Sequence, residues 1–243
     1  MYKEDLAYIH DVGFGDFAIK SAPGLLTILK AKGIDKGLII DLACGSGIWA
    51  KILTDSGYEV LGIDISESML NLANKKAPLA QFQCGSLFRL NLPLCDAITC
   101  MGEGINYQFD HHRDDDIKQL FQRIYESLKP GGVFIFDIIE PGYITGNNPQ
   151  KIYFTGEDWD ILLQTEENKN TQVLTRKIII FRKVGELYRR SEETHSVKLY
   201  KSRFIAEKLR KVGFKVKIMR GYGELRFRKA KVGFMAVKLP VDN

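Results

Sequence analysis

The sequence predicts a doubly wound α/β fold built on a mostly parallel sheet of seven strands, and three observations carry that reading. Short apolar runs, "LIIDL" (38–42), "EVLGI" (59–63), "AQFQC" (80–84), "DAITC" (96–100) and "GVFIFDI" (132–138), recur between segments of helical periodicity. A small-residue turn, "DLACGSG" (41–47), separates the first run from the helix-like "IWAKILTDSG". With 243 residues, the chain can bury a large core as one domain carrying an insertion. Strands that alternate with helices form a parallel sheet covered on both faces by the crossover helices.

Each element follows from local pattern. The five apolar runs read as buried strands. Between the second and third, "SESMLNLANKK" reads as a helix that Ser66 can cap. After the fourth, Ile117, Leu120, Phe121, Ile124 and Leu128 recur at helical spacing until "KPGG" stops the helix. The pattern then changes. "WDILLQTEEN", "TQVLTRKIIIFRKV" and "ELYRRSEETHSVKLY" are three long strand-like runs, joined at Asn168-Lys169-Asn170 and at Gly185, which predict an antiparallel meander. A helix over about Ser202 to Val212 and two closing strands, "FKVKIM" and "VGFMAVKL", resume the sheet. The organisation expected is a core over residues 1–149 and 200–243, with a cap inserted at 150–199.

Composition narrows the class. Hydrophobic residues at 45% and charged residues at 27% are ordinary for a soluble globular protein. The opening "MYKEDLAYIHD" lacks the apolar core of a signal peptide, and no apolar stretch approaches membrane-spanning length. Cys44, Cys84, Cys95 and Cys100 show no Cys-x-x-Cys spacing, so reduced thiols and a cytoplasmic location are expected. The net charge of +5 hides an asymmetry: Lys198 to Lys238 holds 14 basic and two acidic residues, against 21 and 28 elsewhere. Those basic residues are spread over several elements, as on a solvated face; the alternative is a surface for an anionic substrate, nucleic acid or an acidic partner.

The turn at 41–47 suits a nucleotide-type ligand. A phosphate-binding P-loop needs Gly-Lys-Ser/Thr, but Ile48 and Trp49 follow Gly47. A dinucleotide turn needs a third glycine, and that position falls on Ala50 counted from Gly45, or on Ile48 counted from Ala43. S-adenosylmethionine needs close backbone approach and an acid for its ribose hydroxyls. Asp64, 17 residues past Gly47, supplies such an acid but would serve NAD equally. The turn alone leaves that choice open.

The order of motifs closes it. "DLACGSG", "GIDISESMLNLA", "QCGSL", "LPLCDAITC" and "LKPGGVFIFDI" resemble, in sequence and spacing, the motif series of class I S-adenosylmethionine-dependent methyltransferases. The resemblance covers about residues 38 to 138 and extends loosely to "LRKVGFKVKIMRGYG" (209–223). It implies a Rossmann-like methyltransferase fold, S-adenosylmethionine as cofactor and S-adenosylhomocysteine as product. By that resemblance Asp41, Ala43, Gly45 and Gly47 wrap the methionine part, Asp64 binds the ribose and Ile65 packs on adenine. Gly85, Ser86 and Leu87 form the adenine pocket, with Ser86 where family members often place an acid. A hydroxyl there is a neutral and weaker acceptor for the adenine amine.

Met101 and Gly102 fall where the family lines the sulfonium. Glu103 beside them is expected to bind a cationic acceptor or take its proton, the alternative being a solvated loop acid. Asn106 and Tyr107 are candidates for the acceptor pocket. The N-terminal "YIHDVGFGDFA" resembles a lid over the cofactor, with Tyr8, His10, Phe14 and Phe17 as candidates, and otherwise reads as a packed amphipathic helix. His195 in "SEETHSVKLY", loosely similar to a segment of sugar N-methyltransferases, is expected to bind the acceptor or accept its proton, unless it is a structural strand histidine.

The expected function is methyl transfer to nitrogen or oxygen of a small molecule, by a monomer or homodimer with no membrane partner. The alternatives are an RNA methyltransferase recruited by the basic C-terminal region and a cofactor-binding protein without turnover. "HHRDDD" (111–116) is set aside as a metal site, because acids at a helix start answer the helix dipole and adjacent histidines diverge. Cys100 lacks the Pro-Cys pair of cytosine-C5 methyltransferases, and no Asp/Asn-Pro-Pro-aromatic motif follows the fourth strand.

Overall fold

Seven strands form one sheet, in the spatial order 215–219, 231–237, 128–139, 95–100, 38–42, 59–64 and 81–84. The computed structural model describes residues 1–110, 114–146 and 148–240. Two helices open the chain, α1 (Glu4–Gly13) and α2 (Asp16–Ala31). The alternating half follows: β1 (Leu38–Leu42), α3 (Ile48–Asp55), β2 (Glu59–Asp64), α4 (Glu67–Lys76), β3 (Gln81–Cys84), β4 (Cys95–Cys100), α5 (Asp114–Ser127) and β5 (Leu128–Ile139). A second sheet of β6 (Gln150–Thr155), β7 (Trp159–Asn168), β8 (Val173–Val184) and β9 (Leu187–Lys198) comes next. The chain then returns through α6 (Ser202–Val212), β10 (Lys215–Met219), a small hairpin of β11 (Gly221–Tyr222) and β12 (Leu225–Arg226), and β13 (Lys231–Val237). Only β13 runs antiparallel to its neighbours in the large sheet.

Apolar side chains on both faces of the strands explain why the runs lack alternation. On one face Ile40, Ile98, Phe134 and Phe136 pack under Ile117, Phe121 and Ile124 of α5 and Ile205 and Leu209 of α6. On the other, Ile39, Ala97 and Ile135 pack under Leu25 and Leu29 of α2 and Trp49 and Leu53 of α3. The strand order reverses between β1 and β4, and a crevice at the carboxyl ends of such strands is where doubly wound sheets bind ligands.

The inserted sheet has four strands where the sequence predicts three. "QKIYFT" pairs along its length with β7, from Gln150 opposite Thr165 to Thr155 opposite Asp160. Its burial explains the miss: most of β6 is exposed, so it lacks the apolar pattern that marks the other three. Under this sheet lies α1, with Leu6 and Ile9 buried against Trp159, Ile161, Ile178 and Ile180. Asp5 pairs with Arg189, and Tyr8 donates to Asp158 Oδ2 at 3.1 Å while the Arg182 guanidinium stacks on its ring. No single helix among the described residues is long and apolar enough to cross a membrane.

Candidate active site

A cleft opens where β1, β2 and β4 end. Its floor is the turn after β1 and the turn after β4. Ala43 and Glu103 both hold left-handed backbone, at φ 53° and 55°, which brings the two turns face to face. A Cβ on Gly104 would stand 2.7 Å from the Ala43 Cβ, so glycine at 104 is what lets the turns meet. The Gly45 backbone, at φ 55°, has open space where a Cβ would point, and its N–H donates to Asp64 Oδ2 at 2.9 Å. Asp64 Oδ1 accepts the Ser66 N–H at 2.8 Å, while the Ser66 hydroxyl accepts from Met69 N as the cap of α4. Burial raises the Asp64 carboxyl, against the backbone N–H groups of Ser66 and Gly45, which favour its charge.

Asp41 lies behind this floor. It is buried, accepts from Thr99 Oγ1 at 2.8 Å, and through Thr99 is linked to the Trp49 indole N–H at 3.2 Å. Burial pushes its pKa up to about 7, opposed by the Thr99 bond and reinforced by the Asp64 charge. Gly47 also stands back from the cleft: at φ 76° it starts α3, and a Cβ there would meet the Ala73 backbone at 2.9 Å. It serves helix packing.

The wall beside β2 and β3 comprises Ile65, Met69, Gly85, Ser86, Leu87 and Phe88. Ser86 is bonded at both ends: its Oγ accepts the Phe88 N–H at 3.1 Å and donates to Asp110 Oδ2. The opposite wall is aromatic, formed by Tyr2, His10, Tyr107 and Phe109, with Met101 and Gly102 between it and the floor. Tyr2 and Tyr107 join their hydroxyls at 3.0 Å, and the Tyr2 carbonyl accepts from Ser66 Oγ at 2.6 Å. His195 lies behind that wall, with ring centroids 4.9 Å from Tyr2 and 5.0 Å from Phe109. Its Nε2 lies 2.9 Å from Glu193 Oε2, so that nitrogen carries the proton and Nδ1 is left as a bare acceptor. The Nδ1 atoms of both His195 and His10 are buried without a hydrogen-bond partner. Burial lowers the His10 pKa, against the raising charges of Glu103 and Asp11, so the ring favours its neutral form.

Glu103 departs from its expected role. Arg176 Nη2 reaches its Oε1 at 3.0 Å and Lys231 Nζ its Oε2 at 2.5 Å. Burial alone would raise its pKa, but the Lys231 and Arg176 charges hold it down to about 2. A carboxylate that acidic is a poor proton acceptor at neutral pH, and both oxygens are already engaged. The array continues: Lys231 also reaches Asp137 Oδ1 at 2.7 Å, Asp137 receives the N–H of Gly102 at 3.1 Å and of Glu103 at 2.9 Å, and Arg176 Nη1 donates to Tyr107 OH at 2.6 Å. Glu103 thus anchors the turn after β4 and ties it to β8 and β13.

Four further candidates stand away from the cleft. Tyr8 is held by Asp158 and Arg182 at the inserted sheet. Phe17 packs against Tyr222 and Phe227, with the Lys231 ammonium 4.2 Å from its ring centre. Asn106 is buried and its amide is consumed by backbone, donating to Ile139 O at 3.1 Å and Lys198 O at 2.6 Å and accepting from Ile139 N at 3.2 Å. Phe14 stacks with Phe154 and Trp159 at the inserted sheet. Cys100 is buried, and burial drives its thiol well above its usual range, so it is no nucleophile. The run at 111–116 lies largely outside the described residues.

Residues 39–132 match the model of a methyltransferase domain family. That stretch is a methyltransferase domain of the class I, S-adenosylmethionine-dependent kind. YqeM of Bacillus subtilis, which bears a methyltransferase name, is 28% identical over 199 residues, 77% of each chain. The dTDP-3-amino-3,4,6-trideoxy-alpha-D-glucopyranose N,N-dimethyltransferase of Streptomyces venezuelae is 25% identical over 142 residues, 56% of this chain and 58% of that one. A crystal structure of an S-adenosylmethionine-dependent methyltransferase from Clostridium acetobutylicum shares the fold at a TM-score of 0.80 and 24% identity, covering 97% of this chain and 98% of that one.

The residues of this methyltransferase fit its cofactor. Gly45 and Gly102, both at positive φ, leave open space where a Cβ would stand, so a ligand can lie against bare backbone at the floor. Asp64 closes β2 beside that floor and keeps oxygen lone pairs for hydroxyl donors. Ile65, Met69 and Leu87 offer apolar contact for a purine.

Sequence reasoning missed Tyr2, Phe109, Asp110, Arg176, Asp137 and Lys231. Phe109 and Asp110 follow Tyr107 directly, so the neighbourhood carried a signal. Arg176 and Lys231 lie in strands whose apolar neighbours dominate the pattern, and nothing local marks them.

Proposed function

We propose that this methyltransferase methylates the nitrogen of a small-molecule amine bound between the N-terminal segment and the inserted sheet. The observation that supports it is an aromatic wall of the cleft in which Tyr2 packs against two imidazoles, His10 and His195, whose Nδ1 atoms are buried without a partner among the described residues. The N-terminal segment is tied over this wall by the Tyr2–Tyr107 hydrogen bond and by Lys3 N donating to Glu193 Oε1 at 2.9 Å. A wall covered in this way suits a small acceptor better than a polymer threaded across the surface. Aromatic faces favour an amine in its charged product form.

When bound, S-adenosylmethionine supplies a methyl carbon already activated by its sulfonium, so the protein has chiefly to place the acceptor and receive a proton. His10, on the cleft wall and biased to neutrality, offers its Nδ1 to the acceptor. His195 receives the proton: Glu193 fixes its tautomer by accepting a hydrogen bond from Nε2–H, which leaves Nδ1 as the lone-pair nitrogen. Glu103, the lid residues Tyr8 and Phe17, and Asn106 act through scaffold contacts. The Streptomyces venezuelae relative, whose name specifies an amino-sugar N,N-dimethyltransferase, supports a small amine as acceptor class.

The test uses methyl-labelled S-adenosylmethionine with panels of small primary and secondary amines, their hydroxyl counterparts, and total RNA. Label on nitrogen of a small amine is expected. Label confined to hydroxyl oxygen, or to RNA, would defeat the reading.

A further inference from the structure

We propose that Asp110, rather than Ser86, receives the adenine amino group of the cofactor, and that Ser86 positions it. The proposal rests on the assignment of S-adenosylmethionine as cofactor. Asp64 and Asp110 are the two carboxylates among the described residues that line the cleft. Asp64 sits at the floor, with an oxygen on each of the Gly45 and Ser66 N–H groups. Asp110 sits across from the end of β3, on the wall that also carries Gly85, Ser86 and Leu87.

The hydroxyl of Ser86 has one proton, and Asp110 Oδ2 takes it. One of the Ser86 Oγ lone pairs takes the Phe88 N–H at 3.1 Å. This neutral oxygen is therefore largely committed to protein partners. The carboxylate it holds is the stronger acceptor, because a hydrogen bond to an ionised group is roughly twice as strong as one between neutral groups. The acid missing after β3 is thus delivered from the segment that follows β4.

That segment is itself fixed. Gln108 N donates to Ser196 O at 2.9 Å, and Tyr107 forms a β-bridge with Val197 of β9. Residues 107 to 110 therefore place Tyr107 and Phe109 in the aromatic wall and Asp110 at the adenine wall, on one short stretch pinned to the inserted sheet.

Calorimetric binding of S-adenosylhomocysteine and S-inosylhomocysteine tests the proposal, since the second replaces the purine amino donor by an oxo acceptor. The unmodified enzyme is expected to prefer the adenosyl ligand by about 100-fold or more, because a site built to accept a hydrogen bond rejects a ligand that cannot donate one. Asp110→Asn, whose amide can donate to the oxo group, is expected to narrow that preference to about 5-fold or less. Ser86→Ala is expected to weaken S-adenosylhomocysteine binding while keeping the preference. An unmodified enzyme without preference overturns the proposal whether or not any variant folds, as does an Asp110→Asn enzyme that keeps the full preference. Failure of the unmodified enzyme to bind either ligand overturns the cofactor assignment and the proposal with it.

Discussion

Lys231 Nζ lies 2.5 Å from Glu103 Oε2, joining the first residue of the last strand to the turn after β4. The contact is part-buried, and it decides what Glu103 does. A carboxylate held between an ammonium and a guanidinium stays ionised and immobile, so it shapes the floor of the cleft without moving protons.

Glu103→Gln should therefore behave as a structural lesion. Removing one charge from a buried array costs about 2–4 kcal/mol. For a chain of this size that lowers the melting temperature by roughly 5–15 °C. The folded-state pKa of about 2 lies below the ordinary 4.5, so the stabilisation is complete above pH 4.5 and disappears as pH falls towards 2. Acid unfolding of Glu103→Gln should lack that component. A variant with unchanged melting temperature but an altered pH–rate profile would restore Glu103 as a base.

Asp41 should act with the opposite sign. Its folded-state pKa of about 7 lies above the ordinary 3.8, so the folded protein holds an extra proton between those values. Stability then falls as pH rises from 4 to 7. At one pKa unit per 1.36 kcal/mol the cost at neutral pH is roughly 3–5 kcal/mol. Asp41→Asn, which keeps an acceptor for Thr99, should show a melting temperature that is flatter over this range and higher at pH 8. Parallel pH curves for the two proteins would refute the assignment.

The two histidines should act on turnover rather than on cofactor binding. His10→Gln and His195→Ala should each lower kcat/KM by about 100-fold or more, within the range for loss of acid–base catalysis. Both should bind S-adenosylhomocysteine within about 3-fold of the unmodified protein, a difference below about 1 kcal/mol. Any acid-side loss of activity that comes from charging His10 should fall below pH 6.5, because burial lowers its pKa from that ordinary value. Loss of cofactor affinity in either variant would place that histidine in the wrong part of the cleft.

Gly45→Ala and Gly47→Ala should fail differently. A methyl at 45 enters open cleft, so this variant should fold with a cost of about 1 kcal/mol for its left-handed backbone and lose cofactor affinity. A methyl at 47 strikes Ala73 of α4, so that variant should be destabilised by about 2 kcal/mol or more. Thermal unfolding with and without S-adenosylhomocysteine distinguishes them. Equal losses of binding in two fully stable variants would put Gly47 on the cleft as well.

The fold was legible because its signals are local. The strands β1, β2, β4 and β5 are buried on both faces, and their residues are apolar without alternation. The helix over Ser202 to Val212 is bounded as expected, with Gly213 at φ 117° ending it. The apolar residues of the exposed β6, Ile152, Tyr153 and Phe154, run together without alternation, and the two-residue strands of the small hairpin are too short to show a pattern.

For the site, sequence by itself determined the backbone of the cleft: the turn at 41–47, the acid that closes β2, and the order of the motifs around them. Those features lie within single strand–turn–helix units, where geometry follows from a few adjacent residues. Tertiary structure decided which charges pair. Glu103 finds Lys231 across 128 residues and Arg176 across 73, and Ser86 finds Asp110 across 24. Coulombic pairing and desolvation depend on distance in space, so the proton affinity of Glu103 and the partner of Ser86 were settled only when the inserted sheet and the last strand came to rest against the turn after β4.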